Sequence, residues 1–320
     1  MDLFQKCHEF TDAIALREQG AYPYFIPLDK NEGTEVIYEG RRIIMCGSNN
    51  YLGLTTHPKV RQAAINAIAE YGTSCTGSRF LNGNMTMIED LEKELAAWVG
   101  KEAALIFSTG MQTNLGTISA LVGKDDIIIM DKEDHASIVD GAFLSGGKIE
   151  RFRHNDMDHL ERVLKSLPEE KGKLLVVDGL FSMEGDIAPL PRMVELCEAY
   201  HVRLMVDDAH AFGVLGGGRG TAAHFSLTDK VDLIMSTFSK SMASIGGFIA
   251  GDFAVIDYIK HHARSLIFSA SIPPANTATV LAALEVMKEE PERIERVNQN
   301  GAFMRQGFKK LGFDTGASCT

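Results

Sequence analysis

The chain has 320 residues, 45% of them hydrophobic and 23% charged, which is enough to bury one large core or two smaller ones and is unlike a disordered or fibrous composition. Its formal net charge of −11 and pI near 5.4 disfavour a nucleic-acid binder or a polybasic membrane anchor, while leaving room for a local basic pocket. Five scattered cysteines, Cys7, Cys46, Cys75, Cys197 and Cys319, show no close C-x-x-C pairing, so no disulfide framework or metal site is expected and a reducing compartment fits best. Met1 to Gly20 mixes charge with apolar residues and does not read as a signal peptide. No run approaches the ~18 apolar residues of a membrane span. The reading is a soluble cytoplasmic protein with no integral membrane segment.

Apolar spacing predicts one helix over Phe4–Gln19, ended by Gly20. Residues 22–44 read as irregular chain with short strands at Glu35–Tyr38 and Arg42–Met45 around a Glu39-Gly40 turn. Helices are expected at Val60–Tyr71 and Ile88–Val99. Six short apolar runs then alternate with helical ones: Ala103–Phe107, Ile127–Met130, Lys148–Phe152, Leu174–Val177, Leu204–Val206 and Leu233–Met235. The helices between them are Gln112–Leu121, Ser137–Leu144, Met157–Leu167 and Met193–Tyr200. This alternation predicts βαβ units and a mostly parallel sheet covered on both faces. Gly247–Gly251 reads as a further strand of unassigned direction, followed by helices at Ala254–His262, Asn276–Lys288 and Arg293–Leu311. The resulting division is an N-terminal helix and arm over 1–57, a large α/β domain over 58–290, and the start of an incomplete C-terminal α/β domain over 291–320.

In such sheets ligands bind beyond the carboxyl ends of the strands. Those ends deliver Asp131 to Ser137 with His135, Asp178 to Asp186 with Ser182, Asp207 to His210, and Ser236 to Lys240. Each piece has a plainer reading. A lone aspartate after a strand is more often a cap or turn residue, and of the adjacent Asp207 and Asp208 one is expected to cap or meet solvent. Asp207 and His210 could pair on a metal, but no third ligand lies close. His261-His262 reads as a solvated helix face. Gly216 to Gly220 lacks phosphate-loop spacing and reads as a mobile loop. Ser108-Thr109-Gly110 could simply begin a helix, yet it also forms a donor-rich helix N-terminus suited to phosphate. A lysine amine, an aspartate, a histidine and a hydroxyl-rich cup together suit pyridoxal phosphate, whose aldehyde takes lysine and whose ring nitrogen pairs with a carboxylate.

The chain resembles the α-oxoamine synthase family of fold-type-I pyridoxal-phosphate enzymes. The segments that carry the resemblance occur in family order. They are Ser48-Asn49-Asn50-Tyr51-Leu52-Gly53-Leu54, Gly77-Ser78-Arg79-Phe80-Leu81-Asn82-Gly83, Asp134-His135-Ala136-Ser137-Ile138, Phe181-Ser182-Met183-Glu184-Gly185-Asp186, Val206-Asp207-Asp208-Ala209-His210, Thr237-Phe238-Ser239-Lys240, and Phe268-Ser269-Ala270-Ser271-Ile272-Pro273-Pro274. The resemblance implies that Lys240 carries the cofactor as a Schiff base and acts as base and acid at the substrate α-carbon. Asp207 would pair the ring nitrogen, His210 the 3-hydroxyl, and His135 would stack on the ring. The Gly110 and Met111 amides with Thr237 and Ser239 would hold the phosphate, with Ser182 near the ring oxygen. Ser269 would reach the phosphate of the partner subunit in a homodimer, and Asn49 or Asn50 would border the substrate and acyl-CoA.

The implied reaction is decarboxylative condensation of an amino acid with an acyl-CoA. Gly77–Gly83, Asp134–Gly141 and Thr237–Phe248 most resemble bacterial members that join serine to palmitoyl-CoA in sphingolipid synthesis. Alanine with pimeloyl-CoA and glycine with acetyl-CoA are the alternatives within the family. A non-catalytic subunit has no need of Lys240, and a generic lyase or aminotransferase on this fold would not respond to acyl-CoA. Family members extend beyond Thr320 and supply an arginine there for the substrate carboxylate. That role is assigned to no residue here, Arg264 included, and the expectation is a chain that builds the cofactor platform without full turnover.

Overall fold

The computed structural model describes residues 2–320 and divides them into two compact units, one ending at Gly47 and one spanning Ser48–Thr320. The first unit holds helices α1 (Gln5–His8) and α2 (Asp12–Glu18) and an antiparallel sheet of β1 (Lys30–Asn31), β2 (Glu35–Tyr38) and β3 (Arg41–Ile44). The single helix expected over Phe4–Gln19 is therefore two. Neither buries a residue, so no packed face holds the apolar stripe continuous, and Asp12 favours a fresh N-terminus where the second begins.

The second unit is organised by seven strands: β4 (Ala103–Phe107), β5 (Ile127–Asp131), β6 (Lys148–Phe152), β7 (Lys173–Asp178), β8 (Arg203–Asp207), β9 (Leu233–Thr237) and β10 (Gly247–Gly251). Their order is β4-β10-β9-β8-β7-β5-β6. β5 to β9 pair in parallel, and β10 runs antiparallel to both neighbours. β9 and β10 form a hairpin, with Thr237 opposite Gly247. That hairpin sets the direction of Gly247–Gly251 that the sequence leaves open.

Helices cover both faces: α3 (Pro58–Tyr71), α4 (Thr86–Val99), α5 (Gly110–Leu121), α6 (Ala136–Ser145), α7 (Met157–Lys165), α8 (Leu190–Ala199), α9 (Thr221–His224), α10 (Phe253–His262), α11 (Arg264–Ile267), α12 (Pro274–Glu289) and α13 (Glu292–Lys310). Successive strand residues enter opposite cores. Ile127, Ile129, Leu175, Val177, Leu204 and Val206 pack in one with Leu91, Met193 and Ala283. Ile128, Met130, Leu174, Val176 and Met205 pack in the other with Ile118, Ile138 and Ile259. The period-two pleat thus makes each strand a near-continuous apolar run, as the sequence shows. No helix among the described residues is long and apolar enough to cross a membrane.

One loop expectation is corrected, and of the two alternatives for Asp207 and Asp208 capping is the one found. The Gly216–Gly220 run is a fixed turn, not a mobile loop. Gly213 N donates to Gly218 O at 2.9 Å, and Trp98 Nε1 donates to the same oxygen at 3.3 Å. Gly216, Gly217, Gly218 and Gly220 all have positive φ, which explains the glycines. Neither Asp207 nor Asp208 meets solvent: both are buried. Asp208 Oδ2 accepts from Thr221 N at 3.0 Å, and burial pushes its pKa up to about 7.

Candidate active site

Beyond the carboxyl ends of the strands lies a cleft of about 560 Å³. It receives residues from β4 onward (Thr109, Gly110, Met111), from β5 (Glu133, His135), from β7 (Asp178, Ser182), from β8 (Asp207, His210) and from β9 (Thr237, Ser239, Lys240). The strand ends that the sequence marks out therefore do meet on one rim.

Lys240 lies in the loop of the β9–β10 hairpin. The loop is closed by Phe238 N to Gly246 O and Ser244 N to Phe238 O, both 2.9 Å, and Ala243 N donates to Lys240 O at 3.1 Å. Gly246 is needed there: its φ is +124°, and a Cβ would come within 2.7 Å of the Phe238 ring. The half-buried ammonium has its pKa lowered by desolvation, opposed by the Asp207 and Asp178 carboxyls.

Asp207, at the end of β8, is held at both oxygens. Asn114 Nδ2 donates to Oδ2 at 2.7 Å, and Ala209 N donates to Oδ1 at 2.9 Å. Asn114 Nδ2 also reaches Ser137 Oγ at 2.8 Å. Sequence reasoning missed Asn114. A signal was available: Gly110, Thr113, Asn114 and Thr117 repeat at helical spacing, and α5 turns this polar face inward, with Thr113, Asn114 and Thr117 buried.

His210 Nδ1 lies 2.7 Å from the Tyr51 hydroxyl, which also donates to Asn49 Oδ1 at 3.2 Å. Burial, then the Lys240 ammonium and the neighbouring His135, lower the His210 pKa to about 4. The ring is thus neutral at physiological pH, with one nitrogen occupied by Tyr51. Tyr51 carries no role in the sequence reading, because its partner lies far along the chain.

His135 caps α6, its Nδ1 accepting from Ser137 N at 3.2 Å, and its own N–H donates to Asp178 Oδ2 at 2.8 Å. Asn49 and Asn50 do not line the cleft. Asn50 Nδ2 donates to Thr55 Oγ1 at 2.8 Å, and Asn49 connects to the site only through Tyr51. Ser269 also lies off the lining, its Oγ accepting from Gln112 Nε2 at 2.9 Å. Arg264 is exposed and stacks on Phe268, 5.0 Å from the ring centroid.

The donor set fits pyridoxal phosphate. The amino end of α5 opens at Gly110, capped by Thr109, and beside it stand the Thr237 and Ser239 hydroxyls, 2.9 Å apart. A Cβ on Gly110 would come within 2.8 Å of Thr237 Oγ1, so glycine keeps an anion-sized cradle open at a helix N-terminus. Asp207 offers a doubly supported carboxylate, and Lys240 an amine whose proton burial makes easier to lose.

The chain belongs to the aminotransferase class I and II family, whose pattern it matches over residues 41–320, and within it to the α-oxoamine synthases that use pyridoxal phosphate. It is 53% identical over 317 residues to the serine palmitoyltransferase of Sphingobacterium spiritivorum, covering 99% of this chain and 79% of that protein. It is 44% identical over 311 residues to the 8-amino-7-oxononanoate synthase of Bacillus pumilus, covering 96% and 79%. The serine palmitoyltransferase of S. paucimobilis, solved with a bound PLP–myriocin aldimine, superposes with a TM-score of 0.96 at 34% identity, covering 100% of this chain and 81% of that one. The fold, family and cofactor inferred from the sequence agree with these relatives.

Proposed function

We propose that the cleft joins the α-carbon of serine to the acyl carbon of palmitoyl-CoA, forming 3-ketodihydrosphingosine and releasing CoA and carbon dioxide. The observation that carries this reading is the convergence of Lys240, Asp207, His210 and His135 in one cleft, in a chain so similar to a serine palmitoyltransferase. Pyridoxal phosphate, when bound, supplies an electron sink for negative charge at the amino-acid α-carbon.

The protein's own groups do the rest. Lys240 anchors the cofactor, then takes the α-proton and later returns one to the product. Its lowered pKa suits that exchange. Asp207 pairs the ring nitrogen and is kept in place by Asn114 and Ala209 N. His210, oriented by Tyr51, meets the ring 3-hydroxyl, with Ser182 near the same oxygen. His135 covers the ring face. The Gly110 and Met111 amides with Thr237 and Ser239 hold the phosphate. Met111, Met183 and Ile245 give the cleft an apolar wall for an acyl chain. Ser269 serves the partner's site in a homodimer, and the location is cytoplasmic.

The similarity to an 8-amino-7-oxononanoate synthase sets the competing reading, alanine with pimeloyl-CoA. The test is CoA release and product mass from purified protein loaded with pyridoxal phosphate. Serine with palmitoyl-CoA, alanine with pimeloyl-CoA and glycine with acetyl-CoA are compared. The highest kcat/KM is expected for the first pair, and a higher value for either other pair overturns the assignment.

A further inference from the structure

His154 follows β6 and bridges two carboxylates from different elements. Its Nδ1 lies 3.0 Å from Asp131 Oδ1, at the end of β5, and its Nε2 lies 3.1 Å from Asp186 Oδ2. Asn155 reinforces both sides: its N–H donates to Asp131 Oδ2 and its Nδ2 to Asp186 Oδ2, each at 2.9 Å. The His154 ring also stands edge-on to Phe181, with centroids 4.5 Å apart.

Phe181 and Asp186 are the two ends of a small loop. Phe181 N donates to Asp186 O at 3.0 Å, Gly185 N donates to Phe181 O at 2.9 Å, and Leu180 bridges Ile187 at the base. Between those ends Ser182, Met183 and Glu184 form part of the cleft wall. Asp131 belongs to the frame of the site: its N–H donates to Asp134 Oδ2 at 2.8 Å, and Asp134 Oδ1 accepts from Asp178 N at 2.9 Å. His154 therefore joins the wall to the frame. Only the imidazolium can donate from both nitrogens at once.

We propose that His154 is a positioning residue which, as an imidazolium, latches the Phe181–Ile187 loop to the end of β5 and so holds the cleft wall, releasing it on losing its proton. The cleft's role in this proposal rests on the functional reading above; the latch itself does not. Burial alone lowers the His154 pKa, but hydrogen bonds and charge from Asp131, then Asp186, outweigh it and leave the pKa raised. The groups facing the ring are Asp131, Asp186, Asn155 and Phe181. Asp134 lies behind Asp131, and Cys319, whose N–H donates to Gly185 O, lies near Asp186. The latch is therefore closed below the raised pKa and lost as pH rises through it.

The test is amide hydrogen exchange of the 180–188 segment in the purified protein, with and without pyridoxal phosphate, across pH 6 to 9 after correction for intrinsic rates. Wild type is expected to exchange slowly at the acid end and faster above. His154→Gln and Asp186→Asn should each exchange about tenfold faster at the acid end, without the pH step, and the double variant no faster than either. KM for the acyl-CoA should rise several-fold in both variants, with the visible cofactor band unchanged. Additive effects, unchanged exchange, or faster exchange with unchanged KM would each overturn the proposal. Expected exchange in a protein with no CoA release from any substrate pair supports the latch and refutes the functional reading instead.

Discussion

Asn114→Asp is the sharpest probe of the site, because it changes charge and leaves shape alone. Asn114 is fully buried and its Nδ2 donates to Asp207 Oδ2 at 2.7 Å. The substitution replaces that donor with an oxygen. Two carboxylates at that separation repel by about 6 kcal/mol at an effective dielectric constant of about 20, so the pair retains one proton near neutral pH. In Asn114→Ala the lost hydrogen bond to a charged acceptor costs about 1.5–3 kcal/mol, a factor of about 10–100 in binding. Asn114→Ala loses the bond without gaining the repulsion and should fall between. The assay is titration with pyridoxal phosphate followed by visible absorbance, alongside urea unfolding to separate binding from stability. The expected order of affinity is wild type, Ala, then Asp. An alanine variant as weak as the aspartate variant, or an aspartate variant binding within twofold of wild type, would refute the charge argument.

Lys240→Ala should abolish turnover, and borohydride treatment should no longer fix the cofactor to the chain; mass spectrometry of the intact protein reads both states. Gly110→Ala places a methyl 2.8 Å from Thr237 Oγ1 and 2.9 Å from Thr237 Cβ, so cofactor affinity and competition by inorganic phosphate should both drop at least tenfold and the unfolding midpoint should fall as well. His210 makes folding pH-dependent. Its folded pKa of about 4 lies below the unfolded value near ~6.5. As pH falls between those values, the unfolded chain binds a proton that the folded chain refuses, and stability is lost by up to about 3 kcal/mol. Asp208, raised to about 7, acts in the opposite direction. The measurement is therefore the difference between wild type and His210→Asn in urea melts at pH 7 and pH 4.5. An equal pH dependence in both would show that His210 is not the cause.

What the sequence makes legible follows from which interactions are local. The strands of the main sheet are readable because both faces are covered, so Ile127 to Met130 or Leu174 to Val177 must be apolar throughout. Lys240, Asp207, His210 and His135 are readable because each lies within five residues of the end of such a run. The direction of β10 is not, because the loop between Thr237 and Gly247 is too long to carry a turn signature. Gly216 to Gly220 misleads because glycine permits both mobility and positive φ, and it is the contact from Trp98, distant in sequence, together with the Gly213 hydrogen bond, that selects the second. Asn114 and Tyr51 escape for the same reason. Their chemistry lies in partners, Asp207 and His210, that only the fold brings near. Asn49 and Asn50 share a motif with Tyr51, yet it is Tyr51 that reaches the site.

A site built at the carboxyl ends of three neighbouring strands gathers Asp131, Asp134, Asp178, Asp207 and Asp208 in one buried region, an arrangement that would be ruinous if all were charged. The surroundings sort them. Asp178 is raised first by burial and then by the charge of Asp207. Asp134 is raised by burial and then by Asp178, and Asp208 by burial. Asp207 has the Asn114 amide and Ala209 N aimed at its two oxygens, the support an anion needs. Burial also keeps His210 neutral and eases the loss of the Lys240 proton. Asp207 is thereby left as the supported carboxylate facing the Lys240 amine, while Asp131 is paired with His154. The anion cradle at Gly110 relies on a helix end and hydroxyls and needs no competing cation nearby. It follows that Asp178→Asn should be tolerated far better than Asp207→Asn. The first replaces a carboxyl whose pKa is raised by burial and by the charge of Asp207, the second the carboxylate that Asn114 and Ala209 N hold by both oxygens. Cofactor affinity reads the difference directly, and equal losses in the two variants would show that the charge is shared rather than assigned.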